Sequence, residues 1–179
     1  RNHAMLLLMA RLGLRSPEVV AIKVEDIDWR AGEILIRGKG KLHDRMPLPA
    51  DVGAAIVDYI IAHQRADGWF APYPEDAATR RYDLWAILLI NKVLVQYHGA
   101  TGNDRALQAS LRSLRAMHAG LATTPLYDWG RFRWFEGLVA AFYLHEHTGE
   151  PWLLDLARSL RAQGADYPAI VATDDFRTP

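Results

Sequence analysis

Hydrophobic and polar positions change their pattern along this chain of 179 residues. Residues 1–50 combine short helical runs with strand-like positions, whereas the remainder repeats longer helical patterns that are rich in tryptophan. The change falls within residues 50–65. It predicts two segments of different origin, residues 1–60 and residues 55–179, whose boundary lies in a stretch compatible with both.

The first segment is predicted to form two helices and a β-hairpin. Gly13 is a natural end for the first helix, and Ser16 followed by proline is a favourable start for the second. A glycine-flanked turn that carries Lys39 joins two runs of strand composition. The predicted elements are helices at residues 4–12 and 16–26 and strands at residues 33–37 and 46–48.

The second segment is predicted to be helical throughout. Its helices are expected at residues 52–63, 82–97, 106–118, 135–147 and 152–163. The helix at residues 82–97 is apolar on all sides, so we expect it to be buried. A Thr-Gly pair recurs with an offset of 47 residues, at Thr101 and Thr148. This spacing is typical of stacked two-helix units. The predicted fold class is therefore mainly α, with a short helix–helix–β-hairpin segment followed by an α-hairpin array.

Composition narrows the functional classes. The chain has 21 basic and 21 acidic residues, so it lacks the overall positive charge expected of a phosphate-binding protein, although a local basic site remains possible. It has no cysteine, which excludes disulfides, thiol nucleophiles and cysteine-bound zinc. No apolar stretch is long enough to span a bilayer, so we expect a soluble, cytoplasmic protein. The chain begins at Arg1 and not at Met, so we expect that the true start of its reading frame is missing.

Four motifs follow one another at characteristic spacing in the first segment. They are Gly13-Leu14-Arg15-Ser16-Pro17-Glu18-Val19, Asp26-Ile27-Asp28, Arg37-Gly38-Lys39-Gly40-Lys41 and Arg45-Met46-Pro47-Leu48-Pro49. Residues 1–60 thereby resemble the catalytic domain of the tyrosine recombinases, or phage integrases. The resemblance implies that Arg15 is the first catalytic arginine, which holds the scissile phosphate. It also implies that Lys39 protonates the leaving 5′ oxygen and that Glu18 is the acidic residue of the arginine motif. Pro17 departs from the small residue expected at its position.

The remaining recombinase residues are not found in the sequence. No downstream histidine is followed three residues later by arginine, and none of the seven tyrosines lies in a recombinase context. Without the ordered motifs, Arg15 would be read as an exposed helix-entry arginine and Lys39 as a solvated turn lysine. We therefore predict DNA binding through residues 1–50, without strand cleavage.

A second set of motifs occurs in the helical segment. It comprises Gln64-Arg65-Ala66-Asp67-Gly68-Trp69-Phe70, Tyr82-Asp83-Leu84-Trp85, Asp128-Trp129-Gly130, Arg133-Trp134-Phe135-Glu136 and Thr148-Gly149-Glu150. Residues 55–179 thereby resemble the β-L-arabinofuranosidase-like glycoside hydrolases, which are six-hairpin glycosidases. The resemblance implies an incomplete (α/α)6 toroid that acts on arabinofuranosyl or related sugars. The known mechanism of that family uses a zinc-bound cysteine, which this chain lacks, so the resemblance implies residual sugar binding at most.

Five residues are candidates for a sugar-facing surface, because carboxylates bind hydroxyl groups and indoles stack on sugar rings. They are Asp83, Asp128, Arg133, Trp134 and Glu136. The alternative, which we favour, is that the tryptophans are core residues and that an Arg133–Glu136 ion pair marks a helix start. No cofactor or metal site is predicted, since neighbouring histidines such as His145 and His147 are two residues apart and face different sides of a helix.

Three functional hypotheses follow from the sequence. The preferred one is a composite of two truncated enzymes, produced by a rearranged reading frame and without intact activity. The second is a DNA-binding remnant of a recombinase, and the third is a helical sugar-binding domain. An incomplete helical array leaves an apolar end uncovered, so self-association is also expected.

Overall fold

A computed structural model describes residues 2–38, 43–70 and 84–172 of the chain. In these ranges the protein is mainly helical, with a small antiparallel sheet early in the chain, as the sequence predicts. The helices are α1 (Asn2–Leu12), α2 (Ser16–Ala21), α3 (Ala50–Ala62), α4 (Leu84–Thr101), α5 (Asp104–Gly120), α6 (Asp128–Phe132), α7 (Phe135–Thr148), α8 (Trp152–Gln163) and α9 (Tyr167–Ala172). The strands are β1 (Ile27–Asp28), β2 (Glu33–Arg37) and β3 (His43–Pro47).

The sheet has the order β1-β2-β3, and β2 is its central strand. Ile34 and Ile36 alternate with less buried neighbours along β2 and point into the core, which explains why this strand is readily predicted. The predicted partner strand at residues 46–48 is too short, because β3 begins at His43. Its first three residues are polar and exposed, so they carry no strand signal. The two-residue strand β1 is not predicted at all.

The second helix ends five residues earlier than predicted. Helix α2 ends at Ala21, and Ile22 has an extended backbone. Residues Val24–Asp26 form a separate 3-10 turn, at whose start the Lys23 N–H donates to the Asp26 carboxylate over 2.7 Å. The buried Asp26 is also ion-paired with Arg37 of β2. The chain therefore leaves the helix early because a carboxylate is directed towards the sheet.

Helix α4 is buried on two sides. Leu84, Ile87 and Leu88 belong to a core that α4 shares with α5, α7 and α8. Leu94 and Tyr97 belong to a second core, which is formed with α1, α3 and the sheet. The prediction that this helix is buried is confirmed. Neither α4 nor any other helix in the described ranges is long and apolar enough to cross a membrane.

The recurring Thr-Gly pair ends two helices with the same geometry. The Thr101 hydroxyl donates to the Tyr97 carbonyl, and the Thr148 hydroxyl donates to the Leu144 carbonyl, each over 2.7 Å. The glycine that follows each threonine has φ +70, a left-handed conformation that glycine adopts without strain. Helices α4 and α5 thus form one hairpin, and α7 and α8 form another. The first helix of each hairpin ends in the same Thr-Gly geometry, in agreement with the predicted repeat.

Close packing between the hairpins depends on a glycine in α7. A Cβ atom at Gly137 would lie 2.5 Å from Leu88 of α4 and 2.8 Å from Leu160 of α8. Both distances are too short for carbon–carbon contact, so the absence of a side chain lets α7 approach its neighbours.

The short helices α6 and α9 are not predicted, since five and six residues are too few for a helical period.

A polar network lies within the core between α4 and α5. Asn91 is fully buried, and its amide nitrogen donates to the Ser113 hydroxyl over 2.9 Å and to the Ile87 carbonyl over 2.8 Å. The Ser110 hydroxyl donates to the Asn91 side-chain oxygen over 2.8 Å. Because both polar atoms of this amide have partners, the network fixes how α4 and α5 pack at low cost in desolvation.

Replacing Asn91 by leucine should lower the free energy of unfolding by about 2 kcal/mol, because the Ser110 hydroxyl loses its buried acceptor. Urea unfolding followed by circular dichroism measures this change. Gln96→Leu, at an exposed position of the same helix, is the matched control and should change stability by less than about 0.5 kcal/mol. Equal losses in the two variants would contradict a role for the network.

Candidate functional sites

Arg15 lies at the junction between α1 and α2. Gly13, at φ +65, ends α1, and the next residue, Leu14, is buried and anchors the turn. The Arg15 N–H donates to the Glu18 carboxylate over 2.8 Å, and its carbonyl accepts from the backbone N–H of Val19 over 3.0 Å. The Arg15 side chain is exposed and has no ion-pair partner in the part of the chain that the structure describes. A guanidinium on a fixed backbone is therefore available to an anion.

The acidic residue of the arginine motif has a structural role. Glu18 occupies the first turn of α2 and caps it by accepting the Arg15 N–H. A carboxylate at a helix N-terminus is also favoured by the helix dipole. Glu18 thus holds the backbone from which the arginine projects.

Arg37 and Asp26 form an ion pair that the sequence did not indicate as part of a site. Both terminal nitrogens of Arg37 donate to the Asp26 carboxylate, which is almost fully buried. Hydrogen bonding to Asp26 raises the pKa of Arg37 above its ordinary value. The pair fixes the end of β2 where the hairpin turn begins. The available signal was a charged residue that follows the apolar centre of a strand and precedes a glycine.

The β2–β3 pairing confirms the predicted hairpin. Its last described pair is Arg37 with His43, and Ile36 pairs with Asp44. Lys39 lies outside the described residues, so its role stays a prediction. Arg45, also in the hairpin, is exposed and lies 3.4 Å from Glu33.

A second group of side chains collects around Trp85 at the start of α4. The Arg133 guanidinium lies 6.0 Å from the centre of the Trp85 ring. The centre of the Trp129 ring lies 6.1 Å from the centre of the same Trp85 ring. Arg133 pairs with the Glu136 carboxylate, which is buried. Arg133 Nε and Glu136 Oε2 are buried atoms without a hydrogen-bond partner in the described ranges. A donor and an acceptor are therefore left unsatisfied beside two indoles.

The other predicted sugar-facing residues do not join this group closely. Trp134 turns towards the α8–α9 connection, where its indole N–H donates to the Ala165 carbonyl over 3.3 Å and its ring packs on Gly164. Asp128 is exposed and starts α6 with φ +43, an uncommon backbone for a residue other than glycine. Asp83 lies outside the described residues. Trp129 was not among the candidates, although its 63% exposure makes it the most accessible large aromatic side chain described.

Among the tyrosines that the structure describes, Tyr143 is the one whose hydroxyl contacts a histidine ring nitrogen. His98 Nδ1 lies 2.7 Å from this hydroxyl, and the His147 ring stacks on the phenol at 4.0 Å. Burial, and to a smaller extent the charge of Glu146, raise the pKa of Tyr143. The Tyr143 hydroxyl therefore keeps its proton at neutral pH. Across the described ranges, no group of three or more His, Cys, Asp or Glu side chains is arranged to hold a metal ion.

Comparisons with known proteins agree with the motifs of the first segment. The sequence model of the Phage integrase family matches residues 1–122. A putative integrase/recombinase y4rA of Sinorhizobium fredii is 58% identical over 60 residues, which are 34% of this chain and 14% of that protein. Tyrosine recombinase XerC of Proteus mirabilis is 28% identical over 158 residues, covering 71% of this chain and 47% of that protein. No solved structure matches the chain significantly.

These matches place residues 1–122 in a domain of the tyrosine recombinase class. The chain belongs to the phage integrase family, and the family match extends well beyond the predicted segment of residues 1–60. The chain spans less than half the length of the relatives named above. Nothing in the comparisons supports the resemblance of residues 55–179 to a glycoside hydrolase.

The Arg37–Asp26 pair should stabilise the sheet more than the exposed Arg45–Glu33 pair. Asp26→Asn keeps an acceptor for the Lys23 N–H but removes the charge, and should lower the free energy of unfolding by about 2 kcal/mol. Glu33→Gln, the matched control in the exposed ion pair, should change it by less than about 0.5 kcal/mol. Urea unfolding measures the stability of both variants. Equal losses would show that burial of Asp26 does not make its ion pair stronger than the exposed pair.

Proposed function

We propose that residues 1–50 bind DNA and that this chain does not cut DNA strands by itself. The exposed guanidinium of Arg15, for which the described residues offer no ion-pair partner, carries the proposal together with its fixed backbone. Residues 1–50 also contain nine Lys and Arg residues against six Asp and Glu residues, so this segment is basic although the whole chain is neutral. Arginine binds a phosphate through two parallel hydrogen bonds, which suits it to hold a nucleic-acid backbone.

Lys39 is the second proposed contact with the backbone of DNA. Membership of the family supports for Lys39 the role of protonating a leaving 5′ oxygen, and for Arg15 that of holding the phosphate. Strand cleavage would also need a second arginine and a placed tyrosine nucleophile. None of the histidines after the hairpin begins a His-x-x-Arg motif, and the Tyr143 hydroxyl is engaged with His98. Binding without cleavage is the activity that these residues support best.

Arg15→Ala should weaken binding to a fluorescently labelled DNA duplex by about tenfold, because a charge-assisted phosphate contact is lost. Fluorescence anisotropy at low salt measures the affinity, and Arg15→Ala with Lys39→Ala should weaken it further. Arg161→Ala on α8 removes an exposed arginine far from this segment in sequence and is the matched control.

Binding should also weaken as salt rises from about 50 to 200 mM, because phosphate contacts release counterions. Two results would contradict the proposal: affinity that does not depend on salt, and an Arg161→Ala effect as large as that of Arg15→Ala. Arg15→Lys should retain part of the affinity, since it keeps the charge but loses the fork.

We further propose that residues 50–65 mark a junction, so that the chain is a composite of truncated parents. The change of sequence pattern supports this, as do several relatives whose matches extend over only 60 to 62 residues. The family match to residue 122 runs across the same region and is the main observation against it. A long read of the native genome across codons 50–65 decides between a continuous gene and a join.

We also propose that the cluster around Trp85 binds sugar hydroxyl groups. Glu136 Oε2 and Arg133 Nε, which lack partners in the described ranges, are an acceptor and a donor of the kind that pair with a hydroxyl group, and because both are buried a sugar would reach them only after neighbouring side chains move. The exposed Trp129 indole offers an apolar face next to Trp85. These observations support binding of a polyol and do not supply two carboxylates at a working separation for hydrolysis.

Glu136→Gln should weaken binding of arabinose-containing oligosaccharides by about tenfold, since hydrogen bonds to a charged acceptor are the stronger ones. Isothermal titration calorimetry measures the affinity, and Trp129→Ala should weaken it as well. Glu25→Gln, at an exposed position in the first segment, should have no effect. A wild-type chain that shows neither heat of binding nor a thermal shift with these sugars would refute the proposal.

A further inference from the structure

A cavity lies between α4, α7 and the turn that follows β1. Its volume is about 380 Å³. This is near the lower end of the range of about 300–1,000 Å³ that is usual for small-molecule sites. Val95 and Ala100 of α4 and Val139 of α7 give it apolar walls. Val95 is buried and Ala100 is exposed, so the cavity extends from the core side of α4 to its surface.

Small residues in the last turns of α4 shape the cavity. A Cβ atom at Gly99 would lie 3.2 Å from the Tyr143 hydroxyl and 3.7 Å from its ring. Glycine inside a helix is less stable than alanine, so this position needs a structural reason. The reason is that the phenol of Tyr143 lies close against α4, where its ring forms one wall of the cavity.

Arg30 is the one charged residue among the described residues that line the cavity. Its backbone is fixed, because the N–H groups of Arg30 and Ala31 donate to the Asp28 carboxylate over 3.1 and 3.0 Å. The neighbouring Trp29 is buried and packs edge-to-face on Tyr97 of α4. The Arg30 side chain has no ion-pair partner within the ranges that the structure describes. The cavity therefore carries a positive charge that an anion can neutralise.

The Tyr143 hydroxyl is already engaged within the protein. It lies 2.7 Å from His98 Nδ1, and the Asp104 carboxylate lies 3.7 Å from His98 Nε2. The carboxylate favours a proton on Nε2, so Nδ1 accepts the hydrogen bond and the Tyr143 hydroxyl donates it. Arg30 and the neutral amide of Gln96 are then the side-chain donors in the described lining that remain for an anion.

We propose that this cavity binds a small carboxylic acid with an apolar body. The carboxylate lies on Arg30, since a guanidinium binds it through two parallel hydrogen bonds. The apolar body lies against Val95 and the Tyr143 ring, where it is removed from water. A DNA phosphate does not suit this site, because a duplex is too large for the cavity and its backbone has no apolar body. The inference does not depend on DNA or sugar binding, since it uses neither Arg15 nor the cluster around Trp85.

Three probes separate the effect of the charge from that of the apolar body. Phenylacetate has both, acetate has only the charge, and phenethyl alcohol has only the apolar body. Phenylacetate should bind the wild-type chain at least about tenfold more tightly than either of the others. Nuclear magnetic resonance titration of the isotope-labelled full chain measures the dissociation constants. The backbone amide signals of Arg30 and Gly99 should shift as phenylacetate binds.

Removal of the charge gives the first variant test. Arg30→Gln should weaken phenylacetate binding by about tenfold and leave phenethyl alcohol binding unchanged, because only the acid uses the guanidinium. Arg131→Gln changes an exposed arginine that does not line the cavity, and is the matched control. Tyr143→Phe should leave phenylacetate binding within about twofold, since the lost hydroxyl donates to His98 and not to the acid.

Filling the cavity gives a second test that does not involve charge. Ala100→Leu should weaken the binding of phenylacetate and of phenethyl alcohol alike by about tenfold, because the leucine side chain occupies the space of the apolar body. Leucine is also a good helix former, so α4 should persist. Ala119→Leu, at an exposed position of α5 outside the cavity, is the matched control.

Several results would overturn the proposal. They are a wild-type chain that does not bind phenylacetate, acetate or phenethyl alcohol binding as tightly as phenylacetate, displacement of phenylacetate by duplex DNA, and wild-type affinity in Arg30→Gln or Ala100→Leu. Circular dichroism melts of each variant should match the wild-type melt, which separates a loss of binding from a loss of folding.

Discussion

Burial of α4 on two sides is the constraint on which the rest of the described structure depends. One side of the helix completes the core of the helical hairpins, and Tyr97 on the other packs edge-to-face against Trp29 at 5.3 Å. Because most of the helix is buried or half-buried, solvent contributes little to its orientation, and polar contacts inside the core must fix it. Asn91 and its serine partners supply these contacts and allow one relative placement of α4 and α5.

The family of the first segment could be predicted from the sequence because its motifs are local. The turn at Gly13, the apolar alternation of β2 and the glycine-flanked lysine each depend on a few adjacent residues. The exit from α2 could not be predicted in the same way, since it depends on contact between Asp26 and Arg37 eleven residues later. Helices α6 and α9 were missed for a related reason, because tertiary contacts stabilise them: Tyr167 of α9 donates its hydroxyl to the Phe132 carbonyl.

The candidate sites show what residue type alone could and could not predict. Arg133 and Glu136 pair as the structural alternative predicts, yet each keeps one buried polar atom without a partner in the described ranges. Trp134 has the residue type expected on a sugar-binding surface, but its indole is used to hold the segment after α8. Only the fold shows that Trp129, five residues earlier, takes the exposed position. Arg15 differs from these residues, because the local backbone around it is enough to leave its side chain available to an anion.

The close approach at Gly137 has a consequence for the side chains of two other helices. Since a Cβ atom there would overlap both Leu88 and Leu160, the backbone of α7 serves as a contact surface for two other helices. The atoms in the way are terminal methyl groups of the two leucines, so a substitution at Gly137 would force both side chains into other rotamers at once. The identity of one residue in α7 therefore sets which leucine conformations α4 and α8 can use.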